Sequence, residues 1–383
     1  MEIIKNELKK IFNIKSLLVL LGISFVIYKI FIDFHIETFP NGRPDGDVYE
    51  IAKDFVEEKG INASEEGIEY FIKLKEKYEE ESDNYLLNDP LARELGISSY
   101  KELKDAAYRK TDNDAKVKEL NNKIMFEEYV DSFWKVQASD YFVNMYEVNN
   151  DYNASKEQIE RINEIINNKS YRDVFPEVVL NNYNSFIFNS MTLIIVSIIF
   201  LLAPIFTKDR QRNLEQIQYA TKRGRKLYKD KIITALIASA IIVTIELGIL
   251  FFMYLTRENT VEVFYNASIN SWFNFGYYWF DLTFKEYIIV TIIFVYIFAL
   301  CLVMLITFIS RKCCRYITLI GISLLLSIGL INLVTLETLL WKGLGWINRP
   351  KFLITTILFV FASLVALLIY IQNKKEKKRS ILN

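Results

Sequence analysis

Apolar residues in this chain fall in blocks. Near-continuous hydrophobic runs cover about 16–34, 185–206, 232–255, 287–309, 316–334 and 351–371, each roughly twenty residues with few charges. About 20 apolar residues in a helix, at ~1.5 Å each, cross the ~30 Å of bilayer hydrocarbon. Lipid offers no hydrogen-bond partners, so the runs must be helices or closed-barrel strands, and their length fits helices. The pattern predicts an all-α, polytopic membrane protein with six transmembrane helices.

The polar segments have their own periodicity. Residues 1–15 place Ile3, Ile4, Leu8, Ile11 and Phe12 at helical spacing among lysines, which predicts an amphipathic helix in the headgroup plane. Residues 35–183 are polar, with helix signals and almost no strand alternation. Helices are expected over 47–59, ending at Gly60, from Ser64, from near Ser98, and over 114–149. The last carries a stripe of Phe126, Val130, Trp134, Ala138, Tyr141 and Met145, read as core packing. Ser155 and Gln158 form a capping-box pattern that opens a further helix. The chain therefore divides into 1–34 (amphipathic helix and first span), 35–183 (an inserted helical domain) and 184–383 (spans two to six).

Charge gives the expected topology. The net charge is zero, yet residues 34–183 hold 33 acidic and 19 basic residues, which leaves the remainder equally basic. With both termini placed in the cytoplasm, the inside segments hold 21 basic residues and the two short outside loops hold five. Positive charge is retained inside, so residues 35–183 are expected to be extracellular in a cell membrane. A split of this kind points to two environments rather than to nucleic acid. The long first apolar run, with no small-residue cleavage site, is read as a span rather than a cleaved signal. Cys301, Cys313 and Cys314 all lie outside the polar domain, so that domain has no disulfide.

Chemistry is sparse. The chain has no G-x-x-x-x-G-K-[S/T] phosphate loop, no H-E-x-x-H, no G-x-S-x-G and one histidine, His35. No catalytic cluster or metal site emerges, and a lone boundary histidine is read as incidental. Glu246 falls inside the third span. Such an acid lines a polar substrate path, or makes an interhelical hydrogen bond, or is a carboxyl kept protonated by apolar surroundings. The loop 264–287 is rich in aromatics, Trp272 and Trp279 included; an interfacial belt is the expectation, an apolar exit gate for substrate the alternative.

The stretch 205–232, IFTKDRQRNLEQIQYATKRGRKLYKDKI, is too long for a simple turn. Leu214, Ile217, Gln218 and Thr221 recur at helical spacing, Gly224 permits a turn, and basic residues open the next span. It is either a short helix able to receive a push from a partner or a solvated basic loop.

This stretch resembles the cytoplasmic loop of ABC-2 type transporter permeases, in the subset with a large outside domain between the first two spans. Asp209 matches the family's acidic position, and Tyr219-Ala220-Thr221-Lys222-Arg223-Gly224-Arg225 its central run. Leu227 and Lys231 fall near the trailing positions, and Asn213 stands where the family has glycine. ELKKIFNIKS is similar to the family's N-terminal elbow helix, and 335–350 looks like its re-entrant element. The motif covers about 25 residues, the architecture the whole chain.

The resemblance implies a permease subunit of an ATP-binding cassette exporter of an unidentified substrate (peptide, lipid or drug-like). It implies a second permease subunit, identical or related, and separate ATPase subunits that carry ATP and Mg2+, so this chain would not itself be an enzyme. Coupling residues would be Asp209, Asn213, Glu215, Tyr219, Thr221, Lys222, Gly224 and Arg225, with Glu246, Trp272 and Trp279 as a candidate substrate path. The rival reading is a membrane sensor or scaffold whose outside domain binds a peptide or envelope ligand.

Overall fold

The computed structural model describes residues 2–63, 65–108, 114–147, 155–221, 224–257, 261–274, 276–334 and 344–378. Among them the elements are helices, with only isolated antiparallel bridges at Asn62–Asp173 and Ser268–Thr283. In chain order, α1 (Glu2–Ile11) leads to α2 (Ile14–Ile27), which runs through a π-turn into α3 (Asp33–Glu37). Then come α4 (Asp45–Lys59), α5 (Glu65–Asn88), α6 (Pro90–Leu95), α7 (Tyr100–Tyr108), α8 (Asp114–Asn122), α9 (Asp131–Glu147) and α10 (Lys156–Asn167). The remainder is α11 (Glu177–Leu202), α12 (Pro204–Gln211), α13 (Leu214–Ala220), α14 (Leu227–Leu255), α15 (Phe284–Lys312), α16 (Tyr316–Val334) and α17 (Leu353–Lys378).

The chain forms two compact units. The first comprises 1–38, 181–260 and 286–383; the second comprises 39–180 and 261–285.

Among the described residues, five helical stretches are long and apolar enough to cross a membrane: Ile14–Glu37, Glu177–Gln211, Leu227–Leu255, Phe284–Lys312 and Leu353–Lys378. They fit a multi-pass membrane protein. Of the sixth expected span, α16, the apolar stretch Tyr316–Leu330 is shorter than these five. The span containing α11 is the most enclosed, 72% buried against 6% for the first and last. α2 starts cleanly because the Asn13 side chain accepts the Ser16 N–H at 3.0 Å, as an N-cap does. Its Ile14, Leu18, Leu21 and Phe25 are exposed, an apolar face suited to lipid. Pro204 opens α12 rather than ending a span, because proline is tolerated in a helix's first turn.

In the second unit, rings from α4, α5 and α9 stack through Phe55, Phe71 and Phe142, the last pair 4.4 Å apart and nearly parallel. Phe273 closes the stack at 5.3 Å from Phe142. The 261–285 segment is thus part of this unit's core: Phe264, Ala267, Ile269, Phe273 and Tyr278 are fully buried. This differs from the interfacial belt expected for these aromatics. Aromatic rings bury large apolar areas, and here they find protein partners in which to do so. Main-chain bonds hold the segment, from Trp272 N to Tyr171 O at 2.9 Å and from Glu177 N to Phe273 O at 3.0 Å.

The helix expected over 114–149 is broken in two. A π-turn over Lys123–Glu127 follows α8, Glu128 N bonds Lys123 O at 2.8 Å, and Tyr129 takes φ 50° before α9 begins. The break has a packing cause. Val117, Leu120 and Ile124 belong to the same buried cluster as Phe133 and Val136. At about 100° per residue, a continuous helix would put Phe133 roughly 180° from Ile124. The interruption turns both faces inward and leaves Phe126, which the stripe placed in the core, 59% exposed. The predicted helix end at Gly60, where φ is 89°, and the capping box at Ser155 and Gln158 are both present. Ser64, expected to open α5, lies outside the described residues.

Candidate functional site

The functional candidate in the first unit is built where α12 ends, α14 begins and α15 and α17 end. A tight turn at Arg212 and Asn213 joins α12 to α13. Asn213 adopts the left-handed conformation, φ 55°. Asparagine tolerates that region best after glycine. At the other end of α13, Thr221 is extended and its hydroxyl donates to Gln218 O at 2.7 Å. Gly224, bonded to Thr221 O at 3.0 Å, starts a 3-10 turn into α14.

One face of α13 is tied into the unit. Gln218 donates to Asp209 at 2.8 Å. Lys231, 2% exposed, donates to Asp209 at 2.5 Å and to Ile205 O at 2.7 Å, with Glu7 at 3.6 Å. Lys10 of α1 pairs with Glu7 at 2.6 Å and lies 3.9 Å from Asp209. Asp209 and Lys231, the outer positions of the motif, therefore meet in the fold.

Glu215 connects α13 to the opposite side. It accepts from Arg311 and, at 3.3 Å, from Arg210. Arg311 makes a two-pronged bond to Glu376 of α17, 2.7 and 2.9 Å, and Gln372 supports that carboxylate at 2.7 Å. Arg210 also donates to Arg311 O at 2.8 Å and Cys313 O at 2.9 Å, which satisfies carbonyls left open at the end of α15. Phe206 lies between the two groups, with the Lys231 ammonium 5.2 Å and the Arg311 guanidinium 5.8 Å from its ring. A cavity of about 20 Å3 among Asp209, Gln218, Tyr228, Lys231 and Arg311 has room for one water.

Among the described residues the network holds four cations (Lys10, Arg210, Lys231, Arg311) and four anions (Glu7, Asp209, Glu215, Glu376). Charges taken from water must be paired to be tolerated, and these are. Among the described side chains of α13, Ile217 is outward, 67% exposed, and Ala220 is exposed beside it. Of the other sequence-selected residues, Tyr219 and Arg225 lie in helical turns, and Lys222 is outside the described residues. Sequence reasoning missed Glu7, Arg311 and Glu376. A signal existed for one of them: Glu376 is a lone acid in the otherwise basic run 374–379.

Glu246 of α14 accepts from Ser197 of α11 at 2.5 Å, the interhelical hydrogen bond of one sequence reading. Its second oxygen is buried with no partner among the described residues. Trp272 and Trp279 are packed in the second unit, Trp272 against Tyr171 at 5.1 Å. His35 is held by Asn182, side chain to side chain at 3.2 Å. Comparison with protein-family models, with curated proteins and with solved structures finds no match to this chain.

Proposed function

We propose that the chain is the membrane-spanning permease subunit of an ATP-driven exporter. In this reading α16 is a sixth span, the termini and α13 face the cytoplasm, and residues 35–183 are outside. A separate ATPase docks on α13, with Ile217 as its apolar contact, and a second permease subunit completes the pore. ATP and Mg2+ sit on the ATPase.

One observation carries the reading: α13 is braced from both ends of one face, by Gln218–Asp209–Lys231 toward α12 and α14 and by Glu215–Arg311–Glu376 toward α15 and α17. A push on a free loop would be lost in its flexing. A push on a helix held by buried ion pairs moves the attached spans as rigid bodies.

The test is purification of the chain from its native membrane. A P-loop ATPase should co-purify, and ATP turnover after joint reconstitution should fall at least tenfold with Glu215→Arg. Absence of any ATPase partner, or turnover indifferent to Glu215→Arg and Ile217→Asp together, would sink the proposal. The second reading, a sensor or scaffold, draws on a cleft of about 430 Å3 in the second unit, lined by residues of α7, α8 and α9.

A further inference from the structure

The last turns of α17 carry Lys374, Lys375, Lys377 and Lys378, all exposed. Glu376, the acid among them, is 1% exposed and turned inward onto Arg311. The start of α14 repeats the arrangement. Lys226 and Lys229 are exposed, while the neighbouring Asp230 is buried. None of these six lysines pairs with an acid among the described residues.

The fold joins the two groups. α17 packs against the 3-10 turn Gly224–Lys226 that leads into α14. Arg311, which holds Glu376, lines a small cavity with Gly224 and Leu227. The nearby acids are thus spent on interior partners, and the lysines outside keep their charge uncompensated by the chain. Lysines in a last helical turn suit its open carbonyls, but cations at the start of α14 are opposed by the helix dipole. An anion supplied from outside answers both.

The surface below the lysines selects the anion. Leu353–Lys378 is one of the stretches long and apolar enough to cross a membrane. Helical spacing puts Leu367 and Ile371 on the same face of α17 as Lys374 and Lys378, and the two apolar residues are 53% and 43% exposed. Tyr370 is also exposed, one turn before Lys374, whose ammonium lies 4.7 Å from its ring. Over about three turns this face passes from aliphatic side chains, through an amphipathic ring, to cations. Tyrosine and lysine take that order at the edge of a bilayer. A soluble anion or a nucleic acid uses the lysines alone, whereas a phospholipid also covers the apolar residues.

We propose that this surface binds anionic phospholipids. Their acyl chains lie along Leu367 and Ile371, and their headgroup phosphates sit among Lys374, Lys378 and the lysines that open α14. The proposal rests on the multi-pass membrane fold and not on the exporter reading, so either can fail alone.

The test uses the full chain in phosphatidylcholine vesicles with traces of spin-labelled phosphatidylglycerol or spin-labelled phosphatidylcholine, and reads the share of each immobilised by the protein. Phosphatidylglycerol should be favoured at least threefold, less so in high salt. Lys374→Gln with Lys378→Gln should remove most of that preference. Lys208→Gln with Arg212→Gln should keep it: the charge change is the same and both positions are exposed, but the adjoining Ile205 and Phe206 are buried. Should the first variant melt lower than the parent chain, Lys226→Gln with Lys229→Gln is an independent arm with the same expected loss. Free glycerol 3-phosphate should not compete. No preference for phosphatidylglycerol, equal effects of the α17 and α12 variants, or displacement by glycerol 3-phosphate would each overturn the proposal.

Discussion

Asn213 shows how a single side chain can satisfy a backbone demand in a non-obvious way. Its φ of 55° costs most L-residues about 1–2 kcal/mol. Asn213→Gly should therefore leave thermal stability of the purified chain unchanged or slightly raised. Asn213→Val should lower it by at least the same 1–2 kcal/mol, and an unaltered melt for the valine variant would remove the conformational argument. Lys231 is the second residue-scale case. At 2% exposure and bonded to Asp209, it leaves a buried carboxylate with only Gln218 and the more distant Lys10 if replaced. Lys231→Met should cost roughly 3–5 kcal/mol, and the further change Asp209→Leu should recover much of it. If the double variant melts no higher than the single one, the pair is not coupled.

At the scale of elements, helix starts were legible and helix interruptions were not. The Ser155 box needs only residues three apart, and the structure contains both of its bonds, 2.7 and 3.4 Å. Ser155→Ala should loosen α10 by about 1 kcal/mol, seen as faster amide exchange over Lys156–Asn167; uniform exchange in both forms would argue against the cap. The break between α8 and α9 was not legible. Each half is a good helix with a good stripe, and only their shared core reveals that the two stripes are out of phase. The aromatic loop was misplaced for a related reason. Its composition suits a membrane interface and a protein core equally well, and the choice falls to which partners are in reach.

At the scale of the whole molecule, the second unit has a pH response that can be read from its ion pairs. Burial pushes the carboxyls of Asp140 and Asp89 up, but hydrogen bonds and charge from Lys75 and Lys104, and from Lys123, outweigh it. Both are held below the ordinary 3.8. Their stabilisation is present above about pH 4 and lost as pH falls below it through the lowered values. Asp173 runs the other way. Burial raises it despite bonds from Asn62 and Ser268, so its contribution is present below pH 3.8 and lost as pH rises through the raised value. Among the shifted carboxyls of this unit Asp89, Glu102, Asp131 and Asp140 are lowered and Asp45 and Asp173 raised, so the unit's melting point should drop as pH falls below about 4. Asp140→Asn should lower the melting point at pH 7 and flatten that slope; a slope unchanged in Asp140→Asn would refute the assignment. The sequence by itself determined what local forces decide: apolar runs long enough to cross a bilayer, caps, the helical class and the sign of each segment. Those depend on neighbours within a turn or two, or on transfer between water and lipid. Only the tertiary structure decided which distant charges meet, 65 residues apart for Arg311 and Glu376 and 96 for Arg311 and Glu215. It also decided that residues 261–285 fold with the polar unit and that the faces of α7 and α9 part to leave a cleft. Those outcomes follow from packing and from pairing buried charge, and both depend on what the rest of the chain brings to the same place.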